Sequence, residues 1–453
     1  MVTNTATHHS KSPVPHVRMR LAQAVNDENH VAAKMDHPTI RGEIQPMSQP
    51  SATLDDPILH ASPEFINNPY PTFTRFREEA PVFWSEKGKY WIVSKYADIQ
   101  GILRDLHYEK GLQNSKMLNP VVKMLPPVKE AIKSRSTWML NQNPPDHTRL
   151  RSLVNRAFTP TMVNSMREHI EAIANRLLDE VAAKGEMDIV HDFAFPLPVT
   201  VIAEMLGVPP EDREKIKAFS KPLTDGLEPG FDLARMTRSN QAVKDFEDYL
   251  RPLVEERRKN GKNDLITALV SAEEQGDKLS MDELLGNCVL LLVAGHETTV
   301  NLISNGVLAL LKHPDQMELL KAQPALCVTA VNEFLRYESP VQTVRRMAAQ
   351  DLVLHGQKIE EGDVLLLLLG AANRDPDQFP KADQLDITRA DNKHLAFGSG
   401  IHHCLGSSLA EVEGQIAVGT LLKRFPNLKL KSPKVEFKFP FALRGPKELQ
   451  VTF

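Results

Sequence analysis

A single helical pattern, residues 280–312, constrains this chain more than any other feature. Ser280 is an N-cap candidate with Glu283 three residues on as its capping-box partner, and the pattern ends at Lys312, before Pro314. At about 1.5 Å per residue it spans roughly 48 Å, enough to cross a whole domain. Its middle, Asn-Cys-Val-Leu-Leu-Leu-Val-Ala-Gly at 287–295, is apolar on every face and calls for burial at the centre of the fold. With 453 residues the chain has ample length to supply the surrounding core.

Further helical patterns cover 147–158 and 325–337, and another follows Cys404 and stops before Pro426. Short apolar runs flanked by turn residues, at 81–84, 90–93, 351–354 and 364–369, read as strands. No Gly/Ser or Pro linker and no internal repeat divides the body. The expected fold is therefore mainly α with small β-sheets, in a single large domain over residues 54–453. Residues 1–53, rich in Ser, Thr, Asn, His and Pro, read as a flexible N-terminal extension without a secretory signal.

The formal charge of -4 offers no global basic field, so a nucleic-acid partner is not expected. Apolar runs such as 364–369 fall far short of a membrane span. Three widely spaced cysteines, Cys288, Cys327 and Cys404, suit a reducing compartment and no disulfide framework, which points to a cytoplasmic location.

Cys404 stands in Phe-Gly-Ser-Gly-Ile-His-His-Cys-Leu-Gly, residues 397–406, just before a helical pattern. The helix dipole should push such a thiol toward thiolate, and Gly398, Gly400 and Gly406 let backbone amides approach the sulfur. A thiolate of this kind can ligate a metal; a buried structural cysteine is the other reading. Zinc fails on ligand count, since only His402 and His403 adjoin it and no second Cys is near. Gly398-x-Gly400 is no dinucleotide fingerprint either, because the sixth position is His403.

The segment resembles the signature of the cytochrome P-450 family, Phe-x-x-Gly-x-Arg/His-x-Cys-x-Gly, through Phe397, Gly400, His402, Cys404 and Gly406. The resemblance implies heme b (iron protoporphyrin IX) as cofactor, with Cys404 as the axial iron ligand. It puts Phe397, Gly398 and Gly406 in the cofactor pocket and His402 on a haem propionate.

Other motifs extend the resemblance over residues 54–453. Glu333 and Arg336 could be an ordinary surface i,i+3 pair, but they match the family's structural Glu-x-x-Arg, with Arg389 as the candidate third member. In the long helix, Ala-Gly-His-Glu-Thr-Thr at 294–299 reads alone as a mild kink, with Thr298 bonded back to the carbonyl four residues earlier and the ladder loosened. His296-Glu297 starts like a zincin, but Val300 replaces the second His. The segment resembles the family's oxygen-binding groove. That implies catalytic roles for Glu297 and Thr298 as an acid–alcohol pair, and a place for Ala294 beside the cofactor. His147, Arg151 and Arg346 align with propionate-binding positions. Arg149 and Arg156, seven apart, form a stripe that suits either an acidic partner or solvent. Glu411 departs from the Leu-Ala-Arg common in bacterial relatives.

The implied activity is that of a monooxygenase inserting one atom of O2 into a small hydrophobic substrate. The nearest look is to bacterial polyketide and macrolide hydroxylases and to the fatty-acyl-cleaving enzyme of biotin synthesis, so the substrate is either free or held on a carrier protein. No flavin or iron–sulfur domain is evident, so NAD(P)H would act indirectly, through a separate ferredoxin or flavodoxin and its reductase. Substrate contacts are expected from 108–137, 219–238, Val293, Ala294, Val344 and 441–443. A peroxide-driven relative and a non-catalytic haem-binding sensor are the alternatives, and Glu297-Thr298 argues against both.

Overall fold

The structure, a computed structural model, describes residues 54–453 apart from 59–60, 112–114, 118–119, 226–231, 275–276 and 439–441. The expected extension, 1–53, lies outside the described residues, as do Phe441 and parts of the 108–137 and 219–238 segments.

The helices that position the site are α1 (Asp146–Ala157), α2 (Arg167–Ala182), α3 (Pro196–Met205), α4 (Arg213–Asp225), α5 (Leu233–Lys259), α6 (Met281–Lys312), α7 (Cys327–Tyr337) and α8 (Ser407–Arg424). The capping box at the start of α6 is complete. Ser280 Oγ accepts from the Glu283 amide at 3.3 Å, and Glu283 Oε2 accepts from the Ser280 amide at 2.9 Å. From Leu284 to Val293 every side chain of α6 is buried, as its all-round apolar character requires. Helices α3, α5, α7 and α8 all pack on it, and this assembly holds the main hydrophobic core. The helix at α7 starts later than its pattern suggested, because residues Pro324–Leu326 form a 3-10 turn that feeds into Cys327.

Beside the helices lies a five-stranded sheet built from β1 (Val82–Ser85), β2 (Tyr90–Val93), β3 (Tyr108–Glu109), β4 (Thr343–Ala348) and β5 (Val364–Leu368), in the order β1-β2-β5-β4-β3. The pairing of β5 with β2 is parallel, Leu365 opposite Trp91, and the other pairings are antiparallel. All five side chains of β5 are buried, which explains its continuous apolar run. The 351–354 run forms a separate hairpin, with Leu352 opposite Ile359. Register matters here: Arg346 lies opposite Leu365, and Glu109 lies opposite Met347, so the residue after Glu109 comes close to Arg346.

Among the described residues no helix is long and apolar enough to cross a membrane.

Candidate active site

The Cys404 loop is shaped by two glycines in left-handed backbone, Gly398 at φ 70° and Gly400 at φ 71°. Gly400 is also required by space, since a Cβ there would lie 2.4 Å from the Leu103 carbonyl oxygen and 3.0 Å from the Arg104 Cα. The loop is thus pressed against the helix Tyr96–Arg104. The Cys404 amide donates to the Phe397 carbonyl at 2.9 Å, closing the turn, and the Phe397 ring sits between those of His394 and His403.

The Gly406 amide approaches the Cys404 sulfur and, with Arg151, favours the thiolate; burial works the other way and prevails, raising the thiol above its usual range, with Glu411 adding to the effect. The expected dipole activation is therefore outweighed in the protein alone. Gly406 itself has ordinary backbone and open space around it, so its amide, and not its missing side chain, faces the sulfur.

Basic groups from four segments converge near this loop. The His147 ring, at the start of α1, lies 4.2 Å from the His402 ring between centroids. Arg151, one turn along α1, is close enough to Cys404 for each to perturb the other. Arg346 on β4 is buried and donates to the Arg345 carbonyl at 2.9 Å. Lys110, just past β3, is held by its backbone, because Asn143 Oδ1 accepts from its amide at 2.7 Å and Asn143 Nδ2 donates to its carbonyl at 3.0 Å.

These groups push one another toward neutrality. Burial, then Lys110, His147, Arg346 and Arg151, drives His402 down to about 2. Burial and the Arg346 and Arg345 charges put Lys110 well below the usual ammonium range, and burial lowers Arg346 to about 10. Among the described residues no carboxylate pairs with Lys110, His147, Arg151, Arg346 or His402. Such a cluster fits a planar group that brings two carboxylates of its own, as haem does. Lys110 was missed in the sequence because no motif marks it; only the pairing of β3 with β4 carries it to Arg346.

The helix α6 stays continuous through 294–299, so the ladder does not loosen where the groove motif lies. Thr298 Oγ1 donates to the Ala294 carbonyl at 2.8 Å and Thr299 Oγ1 to that of Gly295 at 3.1 Å, both within an intact helix. Ala294 is exposed although Val293 and His296 beside it are sealed, which marks the side of α6 that faces open space. Thr298, four residues on, shares that side. Val293, expected to touch substrate, is 1% exposed and packs in the core instead. His296 is a satisfied core histidine: it is kept neutral by burial, with Nδ1 donating to the Leu292 carbonyl and Nε2 accepting from Ser220 on α4.

Glu297 is paired. Lys438 Nζ donates to its Oε1 at 2.7 Å, a partner that no sequence spacing indicated. Glu333 and Arg336 form a fully buried two-bond pair at 2.8 and 2.7 Å, and Arg389 joins through Glu333 Oε2 at 3.1 Å, as expected. Arg149 corrects the reading of a free basic stripe: its guanidinium is taken up by Glu283 at the start of α6, with Asp277 at 3.6 Å.

The family model described as Cytochrome P450 matches residues 123–323 and 325–453. A polyketide biosynthesis cytochrome P450, PksS of Bacillus subtilis (strain 168), is 42% identical over 398 residues, covering 86% of this chain and 96% of that protein. The biotin biosynthesis cytochrome P450 of the same organism is 41% identical over 395 residues, 87% of this chain and 98% of its own length. Among solved structures, P450BioI in complex with hexadec-9Z-enoic acid ligated acyl carrier protein superimposes with a TM-score of 0.80 at 41% identity, covering 87% of this chain and all of that one.

Proposed function

The chain belongs to the cytochrome P450 family and is a P450 oxidoreductase of the monooxygenase class, and on that premise we propose that residues 54–453 form a haem domain that oxygenates an acyl or polyketide chain carried on an acyl carrier protein. The family implies haem. The observation that carries the assignment of its site is the set of five basic groups beside Cys404 with no carboxylate partner among the described residues. Cys404 would ligate the iron; Arg151, Arg346, His147, His402 and Lys110 would hold the propionates; Phe397, Gly398 and Gly406 would shape the pocket around the ligand, with Ala294 over the opposite side.

Bound there, haem supplies the activation of O2 and the transfer of one of its oxygen atoms to substrate, the other leaving as water. The chain's own contribution is proton handling and exclusion of bulk water. Thr298 spends its hydroxyl hydrogen on the Ala294 carbonyl, which leaves its oxygen free to accept from a water and fix it on the open side of α6. Glu297 is the adjoining carboxyl group, held in place by its ion pair with Lys438, and it hands on a proton only after taking one up. Together they count against a peroxide-driven enzyme and a mere haem sensor, neither of which needs an acid–alcohol pair.

Support for a carrier-bound substrate comes from the relatives: one is named for polyketide biosynthesis, one for biotin biosynthesis, and one was solved with an acyl-loaded carrier protein. Electrons would come from NAD(P)H through a ferredoxin or flavodoxin and its reductase, in the cytoplasm, and residues 1–53 would be an extension outside the haem domain. The test is a ligand screen that follows the haem spin-state change over free fatty acids, acyl carrier conjugates and macrolides. A response to carrier conjugates at concentrations where the matching free acids give none supports the reading; a response to macrolides alone sinks it.

A further inference from the structure

Each turnover of a monooxygenase consumes two protons, so Glu297, ion-paired with Lys438, must take up every proton it hands on. The open side of α6, where Ala294 is exposed, is the side on which the proposed reading puts a hydrophobic substrate, which is a poor source. On another stripe of α6, Glu297 is followed at intervals of four by Asn301 and Asn305, 0% and 1% exposed. Two buried amides below a catalytic acid need an explanation.

Their orientations are fixed by their partners. Asn305 Nδ2 donates to the carbonyls of Glu338 at 3.1 Å and Arg444 at 2.9 Å, so its oxygen must be the other atom. Asn301 Oδ1 accepts from Lys438 Nζ at 3.5 Å, so its nitrogen is the remaining donor. Asn301 Nδ2 and Asn305 Oδ1 are both buried and have no hydrogen-bond partner among the described residues. One is a donor, the other an acceptor, one helical turn apart. A single water that accepts from the first and donates to the second satisfies both. Gly445 closes over Asn301 so tightly that a Cβ there would lie 2.1 Å from Asn301 Oδ1.

The stripe has two ends. Its inner end is the Lys438–Glu297 pair. Its outer end is a cleft of about 490 Å3 whose wall includes Asn305, Tyr70, His313, Arg374 and Arg444.

We infer that Asn301 and Asn305 are positioning residues that hold water in a buried relay, carrying protons from this cleft to Glu297 along the side of α6 away from the substrate. The amides carry no proton themselves. A proton passes from water in the cleft to the water between the two asparagines and on to the Glu297 carboxylate, which then passes a proton to the oxygen site and returns to its ion pair with Lys438; no bond between heavy atoms changes. The inference rests on the reading of Glu297 as the delivering acid.

Two readouts test it. A crystal structure of the wild-type haem protein, at a resolution that places waters, should show one within hydrogen-bond distance of both Asn301 Nδ2 and Asn305 Oδ1; an empty or protein-filled gap overturns the relay. Then Asn301→Leu, Asn301→Ser and Glu297→Gln are compared for product formed per NAD(P)H oxidised and for the solvent isotope effect in D2O. Asn301→Leu should keep the substrate-induced spin shift, lose about fivefold in coupling and show a raised isotope effect, with Asn301→Ser intermediate because it can hold water. A merely structural asparagine would lower stability without moving the isotope effect. If Glu297→Gln uncouples the enzyme and both Asn301 variants behave as wild type, the relay is wrong and the acid is right; if Glu297→Gln also behaves as wild type, the proton role of Glu297 falls and the relay with it. Should Asn301→Leu fail to fold, Asn301→Ser and the ordered water decide.

Discussion

Arg389 Nε donates to Glu333 Oε2 at 3.1 Å, tying the segment ahead of the Cys404 loop to the buried Glu333–Arg336 pair on α7. Arg336 also donates to the carbonyls of Asn373, Ala382 and Gln384, and Asn373 Oδ1 accepts from the Leu395 amide at 2.7 Å, two residues before Phe397. The pair therefore organises backbone that would otherwise be unpaired beside the loop.

Breaking it should be costly. Glu333→Gln leaves the Arg336 charge buried without its partner, and removing one member of a buried pair typically costs about 3–5 kcal/mol. We expect little folded, haem-loaded protein from this variant. Equal yield and an unchanged urea midpoint would show that the carbonyls alone suffice for Arg336.

Cys404→Ser should abolish the shifted Soret band that a haem-thiolate gives with carbon monoxide after reduction, because an alcohol is a poor anionic ligand at neutral pH. A thiolate-type spectrum retained in this variant would remove Cys404 from the iron.

Lys110→Met and Arg346→Leu each remove one basic group from the cluster. Both should release haem faster to an excess of an apo-globin acceptor, and the double variant should lose it faster still, since each charge-assisted bond contributes about 1.5–3 kcal/mol. Unchanged release from Lys110→Met would place that side chain outside the cofactor site.

Thr298→Ala should bind substrate and oxidise NAD(P)H yet divert much of the oxygen to hydrogen peroxide. One lost hydrogen bond, on the order of 1 kcal/mol, is enough to let peroxide escape compete. Product and peroxide are measured in parallel, and coupling equal to wild type would leave Thr298 a purely structural back-bonding threonine.

Glu413 on α8 is 1% exposed, its Oε2 has no partner among the described residues, and burial raises its carboxyl from 4.5 to about 8. A raised acid holds its proton in the fold after the unfolded chain has lost it, so stability falls as pH rises from 4.5 toward 8. Across that window the slope for one such group is at most about 1.4 kcal/mol per pH unit. Glu413→Gln keeps the shape without the titration and should flatten the decline in thermal midpoint between pH 5 and pH 8, taken as roughly the span of the shift. An identical slope in both proteins would show that Glu413 is ionised in the fold.

How much of this could be read beforehand follows the range of the interactions. The α6 boundaries were legible because Ser280, Glu283 and Pro314 are local signals. The Cys404 loop, the Glu333–Arg336–Arg389 set and the polar segment 294–299 of α6 stood out as motifs. The strand order was not, since nothing in residues 90–93 announces a parallel partner at 364–368. Lys110 and Lys438 escaped for the same reason: a strand register brings one to Arg346, and tertiary packing across 141 residues of sequence brings the other to Glu297. Arg149 was misread because its partner, Glu283, lies on another helix.

The basic cluster also ties the stability of one edge of the fold to what binds there. Its members come from four segments distant in the chain, and bringing them together without a counter-anion sets like charges against one another in a poorly solvated place. If the carboxylates of the proposed cofactor are that counter-anion, their binding would favour the arrangement in which Lys110, fixed by Asn143, lies beside His147 and His402, and would add to the stability of that edge of the fold.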